Sequence, residues 1–254
     1  MTTLFISDLH LSEQRPDITA LFQAFLHTEA RQSDALYILG DLFDAWIGDD
    51  DLTPFHLDVI QSLRQLTDAG VPVYFIAGNR DFVIGKRFAA MTGVQILAES
   101  VVVDLYGTPT LLMHGDTLCT RDVSYLRFRK IIRNPVLLAL LTRLPLSWRR
   151  GIAAHLRGTS KTKQPLSAEQ LEKMDATEDG VQAALAKQPA RRIIHGHTHR
   201  PGVHQHHVSR LGARPVERIV LGDWYEQGSV LSVDATGFNL QSRPLPQPEA
   251  LTPR

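Results

Sequence analysis

The sequence of 254 residues is poor in sulfur and has no long apolar run. Its single cysteine, Cys119, cannot form an internal disulfide, which favours a reducing compartment. We interpret Cys119 as a small buried residue rather than a nucleophile. The apolar run 136–141 is far shorter than the roughly 20 residues that span a bilayer. The chain also begins without a basic and then apolar leader, so we expect no secretory signal and a cytoplasmic location.

The net charge is zero, but the charges are unevenly distributed. Between Arg121 and Lys163 there are eleven lysines or arginines and one acidic residue, Asp122. The rest of the chain is correspondingly acidic. A basic segment of this kind indicates an anionic partner.

The chain alternates strands and helices before this basic segment. Apolar runs end near residues 6, 39 and 76, and helical patterns over 17–31 and 54–69 connect them. The order β-α-β-α-β is typical of a parallel sheet covered by helices. Residues 122–157 and 166–187 are predicted as helices, broken at Asn134-Pro135 and Leu144-Pro145, and strands resume at Arg192. The sequence therefore predicts an α/β fold with a helical insertion.

Five predicted strands end in side chains that commonly bind divalent metals. One such strand end alone would be an ordinary turn or helix cap, but the same construction recurs five times. In open α/β sheets, ligands bind at the carboxyl ends of the strands. The five strand ends are Asp8-Leu9-His10, Gly40-Asp41, Gly78-Asn79, His114-Gly115-Asp116 and His195-Gly196-His197.

These residue types predict a centre with two metal ions. Side chains two positions apart on an extended strand point to the same side, so Asp8 and His10 can address one ion. His195 and His197 can address the same ion or its neighbour. A centre with two ions needs a bridging carboxylate, the natural role for Asp41. Oxygen and nitrogen ligands without a thiolate suit Mn²⁺, Mg²⁺ or Fe²⁺ better than a structural Zn²⁺.

This ordered set of motifs resembles the calcineurin-like metallophosphoesterase family from Leu4 to about Leu240. The resemblance implies a two-sheet αββα sandwich flanked by helices. It also implies two divalent metal ions. The first ion would be held by Asp8, His10, Asp41 and His197, and the second by Asp41, Asn79, His114 and His195.

Arg80 departs from the common family pattern, in which a histidine follows the Gly-Asn pair. Arginine cannot donate a proton at neutral pH, but its planar fork binds phosphate. This favours a phosphate leaving group. The sequence around Arg80 resembles the branch of the family that cuts UDP-2,3-diacylglucosamine into UMP and an acylated sugar 1-phosphate in lipid A biosynthesis, usually with Mn²⁺. We expect a water activated by both metals to attack the α-phosphate, with Asp41 and Arg80 as the catalytic residues.

The resemblance also suggests a division of the chain and a set of substrate contacts. Residues 1–121 and 188–242 would form the core, 122–187 an inserted helical lid, and 243–254 a flexible tail. His199 is interpreted as a supporting or structural residue rather than a ligand. The expected substrate contacts are Asn79, Arg80, Asp122, Tyr125, Ser160, Lys163, Gln164 and His195.

The basic insertion fits a lipid-linked UDP-sugar substrate. Its leucines and Trp148 can line an apolar groove or enter a membrane interface, and its arginines can meet phosphates. We therefore expect peripheral association with the anionic inner face of the inner membrane, no nucleic acid and no obligate protein partner. Three alternatives remain open at this point: a soluble nucleotide or nucleic-acid substrate, a non-catalytic scaffold of the same fold, and an ordinary helical cap with a solvated basic face.

Overall fold

The computed structural model describes residues 1–160 and 168–245, without the side chains of residues 156–160, 168, 170 and 171. The strands of this part are β1 (Thr3–Ile6), β2 (Ala35–Ile38), β3 (Val73–Phe75), β4 (Gln95–Ile96), β5 (Ser100–Leu105), β6 (Thr108–Met113), β7 (Arg192–His195), β8 (Gly202–His206), β9 (Val216–Val220), β10 (Gln227–Asp234) and β11 (Gly237–Pro244). The helices are α1 (Pro16–His27), α2 (Pro54–Asp68), α3 (Lys86–Thr92), α4 (Val123–Ile132), α5 (Pro135–Leu141), α6 (Leu146–Ser160), α7 (Ala168–Lys173) and α8 (Glu178–Lys187).

The strands form two sheets. The first has the order β11-β10-β1-β2-β3-β4, and the second has the order β5-β6-β7-β9-β8. Strands β1 to β4 pair in parallel, as do β6, β7 and β9, while β10, β5 and β8 join their neighbours antiparallel. The carboxyl ends of the parallel strands in each sheet therefore lie at one edge, where ligands of open α/β sheets bind.

Apolar side chains fill three layers around these sheets. Phe5, Leu39, Leu112 and Ile194 belong to a cluster that draws on both sheets and lies between them. A second cluster joins the first sheet to α1, α2 and α3. A third joins the second sheet to α8 through Val181 and Leu185. The result is the expected αββα sandwich, with α8, part of the predicted insertion, as the outer layer of the second sheet.

Local sequence explains where several helices begin. Thr53 accepts a hydrogen bond from the backbone N–H of His56, and Pro54 occupies the first turn of α2. Asn134 caps α5 through the N–H groups of Val136 and Leu137, directly before Pro135. The predicted break at Asn134-Pro135 is therefore confirmed.

Helices α4 and α5 bury none of their residues completely, unlike α1, α2 and α8. They cover the edge of the sheets at which the metal-binding motifs lie. No helix in the described ranges is long and apolar enough to span a membrane. Strand β11 continues to Pro244, two residues into the predicted tail, and residues 246–254 lie outside the described part.

Candidate metal centre

The metal-binding motifs lie on turns with left-handed backbone. Six non-glycine residues of the described chain have positive φ, and five are in these turns: Asp8, His10, Asp41, His197 and His199, with φ between 49° and 67°. This conformation is unfavourable for residues with a Cβ and clusters at functional sites. Strand β1 ends at Ile6, so our explanation that Asp8 and His10 alternate along a strand is wrong. Their side chains are aimed by the turn, not by the strand.

Asp41 lies at the centre of the cluster. Its Oδ2 is 3.8 Å from His10 Nε2, and its Oδ1 is 3.8 Å from His114 Nε2. Ligand atoms of Asp8, Asp41 and His114 all lie within 4.8 Å of one another, and the three residues are buried. Asp41 therefore lies between two histidines, and its predicted role as the bridging carboxylate stays a prediction.

Several polar atoms of this cluster are buried without a protein partner. They include both ring nitrogens of His10 and the hydroxyl of Ser7. Buried polar atoms normally have a hydrogen-bond partner, so an orphaned set indicates a ligand. Carboxylate oxygens and neutral imidazole nitrogens are the donors that divalent cations prefer. The residues present therefore fit a divalent metal ion.

Asn79 joins two further histidines to the cluster. Its Oδ1 lies 3.0 Å from His114 Nε2 and 3.0 Å from His197 Nδ1. His114 Nδ1 is 2.8 Å from the carbonyl of Leu39, an acceptor that requires a proton on that nitrogen. This bond orients the ring so that Nε2 faces the centre. Many metal-bound histidines are oriented in the same way, by donating their other ring N–H to a backbone carbonyl.

His195 is the exception among the seven expected ligands. It is completely buried, but its Nδ1 faces the carbonyl of Gly196 at 2.8 Å and its Nε2 accepts from Arg218 Nη1 at 3.1 Å. Among the hydrogen bonds described for His195, neither ring nitrogen meets another expected ligand. Arg218 also donates to His206 Nε2, and His206 Nδ1 is 2.6 Å from Glu178. The sequence analysis missed Arg218, because the sequence of a strand does not indicate which buried side chains an arginine on it will contact.

Two glycines allow the turns to approach one another. A Cβ on Gly78 would lie 2.1 Å from Asp41 Oδ1, and a Cβ on Gly196 would lie 2.0 Å from Asp8 Oδ2. Both distances are far below a possible contact. The glycines of the Gly-Asn and His-Gly-His motifs are therefore required, because the carboxylates of Asp41 and Asp8 pack directly against their backbone.

Asp81 holds two of the metal-binding turns together through their backbone. Its carboxylate accepts the backbone N–H groups of Gly78 at 2.8 Å, Leu42 at 2.7 Å and Asp41 at 3.3 Å. Asp81 is completely buried. It therefore holds the turn that carries Asp41 against the turn that carries Asn79 and Arg80.

A loop that sequence reasoning overlooked forms another wall of the centre. Asp223 Oδ2 lies 2.9 Å from His199 Nδ1, and His199 Nε2 lies 3.3 Å from Asp8 Oδ1. Tyr225 stacks on His10, with ring centroids 5.1 Å apart. The signal was available, because Leu221-Gly222-Asp223 repeats the pattern of Leu39-Gly40-Asp41 at the end of a strand. His199 thus lies beside Asp8, and Asp8, His10 and His199 together form a group that can hold a metal.

Burial and neighbouring charges separate the histidines of the metal-free protein into two groups. Burial lowers the pKa of His10 to about 4 and, with the charge of His114, lowers the pKa of His197 to about 3. Burial and the charge of Arg218 lower the pKa of His195 to about 3. These rings are neutral at pH 7, the form that binds metals. For His199, the bonds to Asp223 and Asp8 outweigh burial and raise the pKa to about 10.

The two central carboxylates also differ. Burial would raise the pKa of Asp8, but the bond to His199 and the neighbouring histidines outweigh it and hold the pKa below the usual range. Burial and the charge of Asp8 raise the pKa of Asp41. The negative charge of Asp41 is therefore unfavourable until a cation compensates it.

A cavity of about 750 Å³ opens on this cluster between the sheet edge and the helices. Of the predicted substrate contacts, it is lined by Asn79, Arg80, Asp122 and Tyr125. Asp122 caps α4 by accepting the backbone N–H of Tyr125 at 2.9 Å. Ser160 ends α6 but its side chain, like Lys163 and Gln164 as a whole, lies outside the described residues. His195 is not among the described residues that line the cavity.

Several arginines that we expected to meet phosphates pair with core carboxylates instead. Arg149 binds Asp50 through both terminal nitrogens and Arg150 binds Asp51. Arg129 and Arg133 both bind Glu99. Part of the basic excess therefore holds the helical segment on an acidic core.

A two-sheet sandwich with a buried carboxylate and imidazole cluster at the ends of its parallel strands is the architecture of a metal-dependent phosphoesterase. The chain belongs to the calcineurin-like phosphoesterase family, whose model matches residues 1–201.

Curated relatives match nearly the whole chain. A protein of Pseudomonas fluorescens strain SBW25 is 46% identical over 98% of this chain and 98% of its own length. A protein of Photobacterium profundum is 50% identical over 96% of this chain and 97% of its own length, and one of Vibrio parahaemolyticus is 47% identical over 96% and 99%. All three are named UDP-2,3-diacylglucosamine hydrolase.

Proposed function

We propose that this chain hydrolyses the pyrophosphate bond of UDP-2,3-diacylglucosamine to give UMP and 2,3-diacylglucosamine 1-phosphate, a step of lipid A biosynthesis. One observation carries the proposal: a single cavity is lined by Asn79 and His197 of the metal cluster, by Arg80 and by apolar side chains. A substrate with a pyrophosphate and two acyl chains matches both parts. The names of relatives at 46–50% identity support the same substrate.

The cluster would hold two divalent cations, for which we propose Mn²⁺. Asp8, His10, Asp41 and His197 would hold the first cation, and Asp41, Asn79, His114 and His195 the second. For His195 to contribute, one of its ring nitrogens must exchange its present partner, Gly196 or Arg218. When bound, the two cations supply Lewis acidity and a more acidic water, the nucleophile that we propose for the α-phosphate.

Arg80 would neutralise charge on the phosphate during attack. Its side chain lines the cavity beside Asn79, and the planar fork of an arginine can bind two phosphate oxygens at once. A phosphate leaving group needs no proton from a general acid, so an arginine can occupy a position held by histidine in many family members. The backbone N–H of Arg80 donates to Asp41 Oδ1 at 2.8 Å, which fixes Arg80 next to the centre.

The apolar walls would receive the acyl chains. They come from the core at Phe82 and Val83, and from the helical segment. The contributing residues of the helical segment are Phe128, Ile132, Leu138, Leu141, Ile152 and Ala153. Burying a chain against such a surface stabilises binding by roughly 0.8 kcal/mol per CH₂ group. Helices α4, α5 and α6 of the predicted insertion would thus act as a lid over the lipid part of the substrate, whereas α8 packs on the second sheet.

We further propose peripheral association with the cytoplasmic face of the inner membrane. The helical segment exposes Ile131, Val136, Leu140 and Trp148, which are large apolar residues suited to a bilayer interface. Because Arg129, Arg133, Arg149 and Arg150 pair with core carboxylates, the apolar residues would supply more of the attraction than the sequence alone suggested.

The decisive experiment compares substrates for the Mn²⁺-loaded protein. We expect release of UMP from UDP-2,3-diacylglucosamine, and a kcat/KM at least about 100-fold lower for UDP-N-acetylglucosamine and for dinucleoside polyphosphates, because neither fills the apolar walls. Indifference to the acyl chains would overturn the lipid substrate in favour of a soluble nucleotide. Absence of bound metal after dialysis against Mn²⁺ would favour a non-catalytic scaffold.

A further inference from the structure

Asp116 is a buried carboxylate that connects the metal centre to the helical segment. It lies two residues after His114 and begins a short 3₁₀-helix, Asp116–Leu118. Its Oδ2 accepts the hydroxyl of Tyr125 at 2.6 Å and Arg129 Nε at 2.6 Å. Its side chain is 3% exposed, and that of Arg129 is 15% exposed. A charge-assisted pair this well buried has a fixed geometry, unlike an ion pair at the surface.

Tyr125 and Arg129 lie one turn apart on α4, so both point from the same face of the helix. Arg133, at the end of α4, continues this face and donates to the carbonyl of Gly78 at 2.6 Å. Arg129 and Arg133 both also bind Glu99. Helix α4 is therefore tied to the turn that carries His114 and to the turn that carries Asn79 and Arg80.

This attachment determines where Tyr125 lies. The ring of Tyr125 stacks near His197, with centroids 6.1 Å apart and planes inclined by 28°. Tyr125 also lines the cavity together with Asp122 and Phe128. A displacement of α4 would therefore change the cavity wall directly above the metal cluster.

We propose that Asp116 is a positioning residue for this reaction: through Tyr125 and Arg129 it sets the place of α4 above the metal centre, and so the binding of the UDP-sugar. The inference rests on the proposed function for its substrate. Asp116 does not need to contact the substrate, because its Oδ2 is already engaged by Tyr125 and Arg129. The role differs from that of Asp81, which braces the metal-binding turns against each other and contacts no residue of the helical segment among its described hydrogen bonds.

The test uses Asp116→Asn, Tyr125→Phe and Arg129→Lys in the full chain. Asn keeps one acceptor oxygen but loses the charge, and Phe removes a single hydroxyl. Glu217→Gln is the control, because Glu217 also accepts from an arginine, Arg192, but at the opposite end of β7 from His195. Three quantities are measured: backbone hydrogen exchange of residues 123–132, bound Mn²⁺ per chain, and KM and kcat for UDP-2,3-diacylglucosamine.

For Asp116→Asn we expect faster exchange along α4, unchanged Mn²⁺ content, and a KM raised about tenfold or more with a smaller change in kcat, because a hydrogen bond to a charged group is lost at the attachment. Tyr125→Phe and Arg129→Lys should show the same pattern with smaller changes, and Glu217→Gln none of it. Because Tyr125→Phe removes one oxygen only, hydrogen exchange along α4 in this variant keeps the test decisive if Asp116→Asn folds poorly.

Wild-type exchange along α4 together with wild-type KM in Asp116→Asn and Tyr125→Phe would overturn the proposal. A loss of Mn²⁺ with unchanged exchange would also overturn it, since Asp116 would then act on the metal and not on the helix. If the wild-type protein fails to cleave the lipid substrate, the proposed function fails, whereas the exchange measurement still decides whether Asp116 positions α4.

Discussion

The carboxylate of Asp41 accepts the backbone N–H of Arg80 at 2.8 Å. The residue expected to bridge two cations is thereby joined to the residue expected to bind the phosphate. The contact uses the main chain of Arg80, so it survives any substitution of the side chain except proline. Substitutions of the Asp41 carboxylate and of the Arg80 side chain can therefore be tested separately.

Replacing Arg80 by Lys should lower kcat about 100-fold or more while the bound Mn²⁺ stays at the wild-type level. Removing one well-placed donor to a developing charge has effects of this size, and the lysine ammonium cannot form a planar two-point contact with phosphate. The measurement is steady-state kinetics together with metal analysis of the same preparation. Loss of metal along with activity would show that the side chain supports the centre itself.

Asp41→Asn should abolish both tight Mn²⁺ binding and turnover. The same substitution should leave the unfolding free energy of the metal-free protein equal to or higher than that of the wild type at pH 7. The reason is the raised pKa of Asp41, caused by burial and by Asp8, which makes its charge unfavourable in the folded metal-free state. Urea unfolding with EDTA measures this effect. A clear destabilisation would mean that the N–H of Arg80 and the neighbouring His114 outweigh the cost of burying the Asp41 charge.

Much of this centre follows from local sequence. The five strand ends that carry Asp8, Asp41, Asn79, His114 and His195 were predictable, because short apolar runs bounded by glycine and polar residues leave few alternatives. The break at Asn134-Pro135 was predictable for the same reason, since cap and proline act within a few residues.

Other features depend on partners that are distant in sequence. The insertion of β9 between β7 and β8, and the addition of β10 and β11 to the first sheet, are set by which faces pack. The pairing of Arg149 with Asp50 joins residues 99 positions apart, and no local pattern distinguishes it from an arginine in solvent. The directions of the Asp8 and His10 side chains depend on a left-handed backbone, which non-glycine residues seldom adopt unless the surrounding fold stabilises it.

The brace formed by Asp223, His199 and Asp8 predicts a pH-dependent stability in the metal-free protein. The pKa of His199 is raised to about 10, from an unfolded value near 6.5, by its bonds to Asp223 and Asp8 against the effect of burial. A histidine with a raised folded pKa contributes stability that is fully present below about pH 6.5 and is lost as pH rises through about 10.

The stability difference between wild type and His199→Gln, both in EDTA, should therefore be largest near pH 6 and shrink toward pH 10. Urea unfolding at several pH values measures it. The exposed residue His207 supplies the control substitution, His207→Gln, for which no comparable pair of carboxylates exists among the described contacts. A difference that stays constant from pH 6 to 10 would contradict a protonated His199 between the two carboxylates.

Arg149 and Arg150 are neighbours on α6 that should differ sharply in their effect on stability. Arg149 is buried and donates to the carbonyls of Leu144 at 3.0 Å and Ile47 at 2.8 Å, besides its pair with Asp50. Arg150 is exposed and pairs only with Asp51 among the hydrogen bonds described for it.

Arg149→Met should lower the unfolding free energy by about 2–4 kcal/mol, because two carbonyls lose the donor that a buried guanidinium supplies, while the half-exposed carboxylate of Asp50 adds little. Arg150→Met should cost about 1 kcal/mol or less, as exposed ion pairs do. Denaturant unfolding gives both values, and limited proteolysis within residues 142–155 shows whether the loss is confined to the helical segment. Equal effects of the two substitutions would mean that α6 is held on the core by its apolar contacts and not by the buried guanidinium.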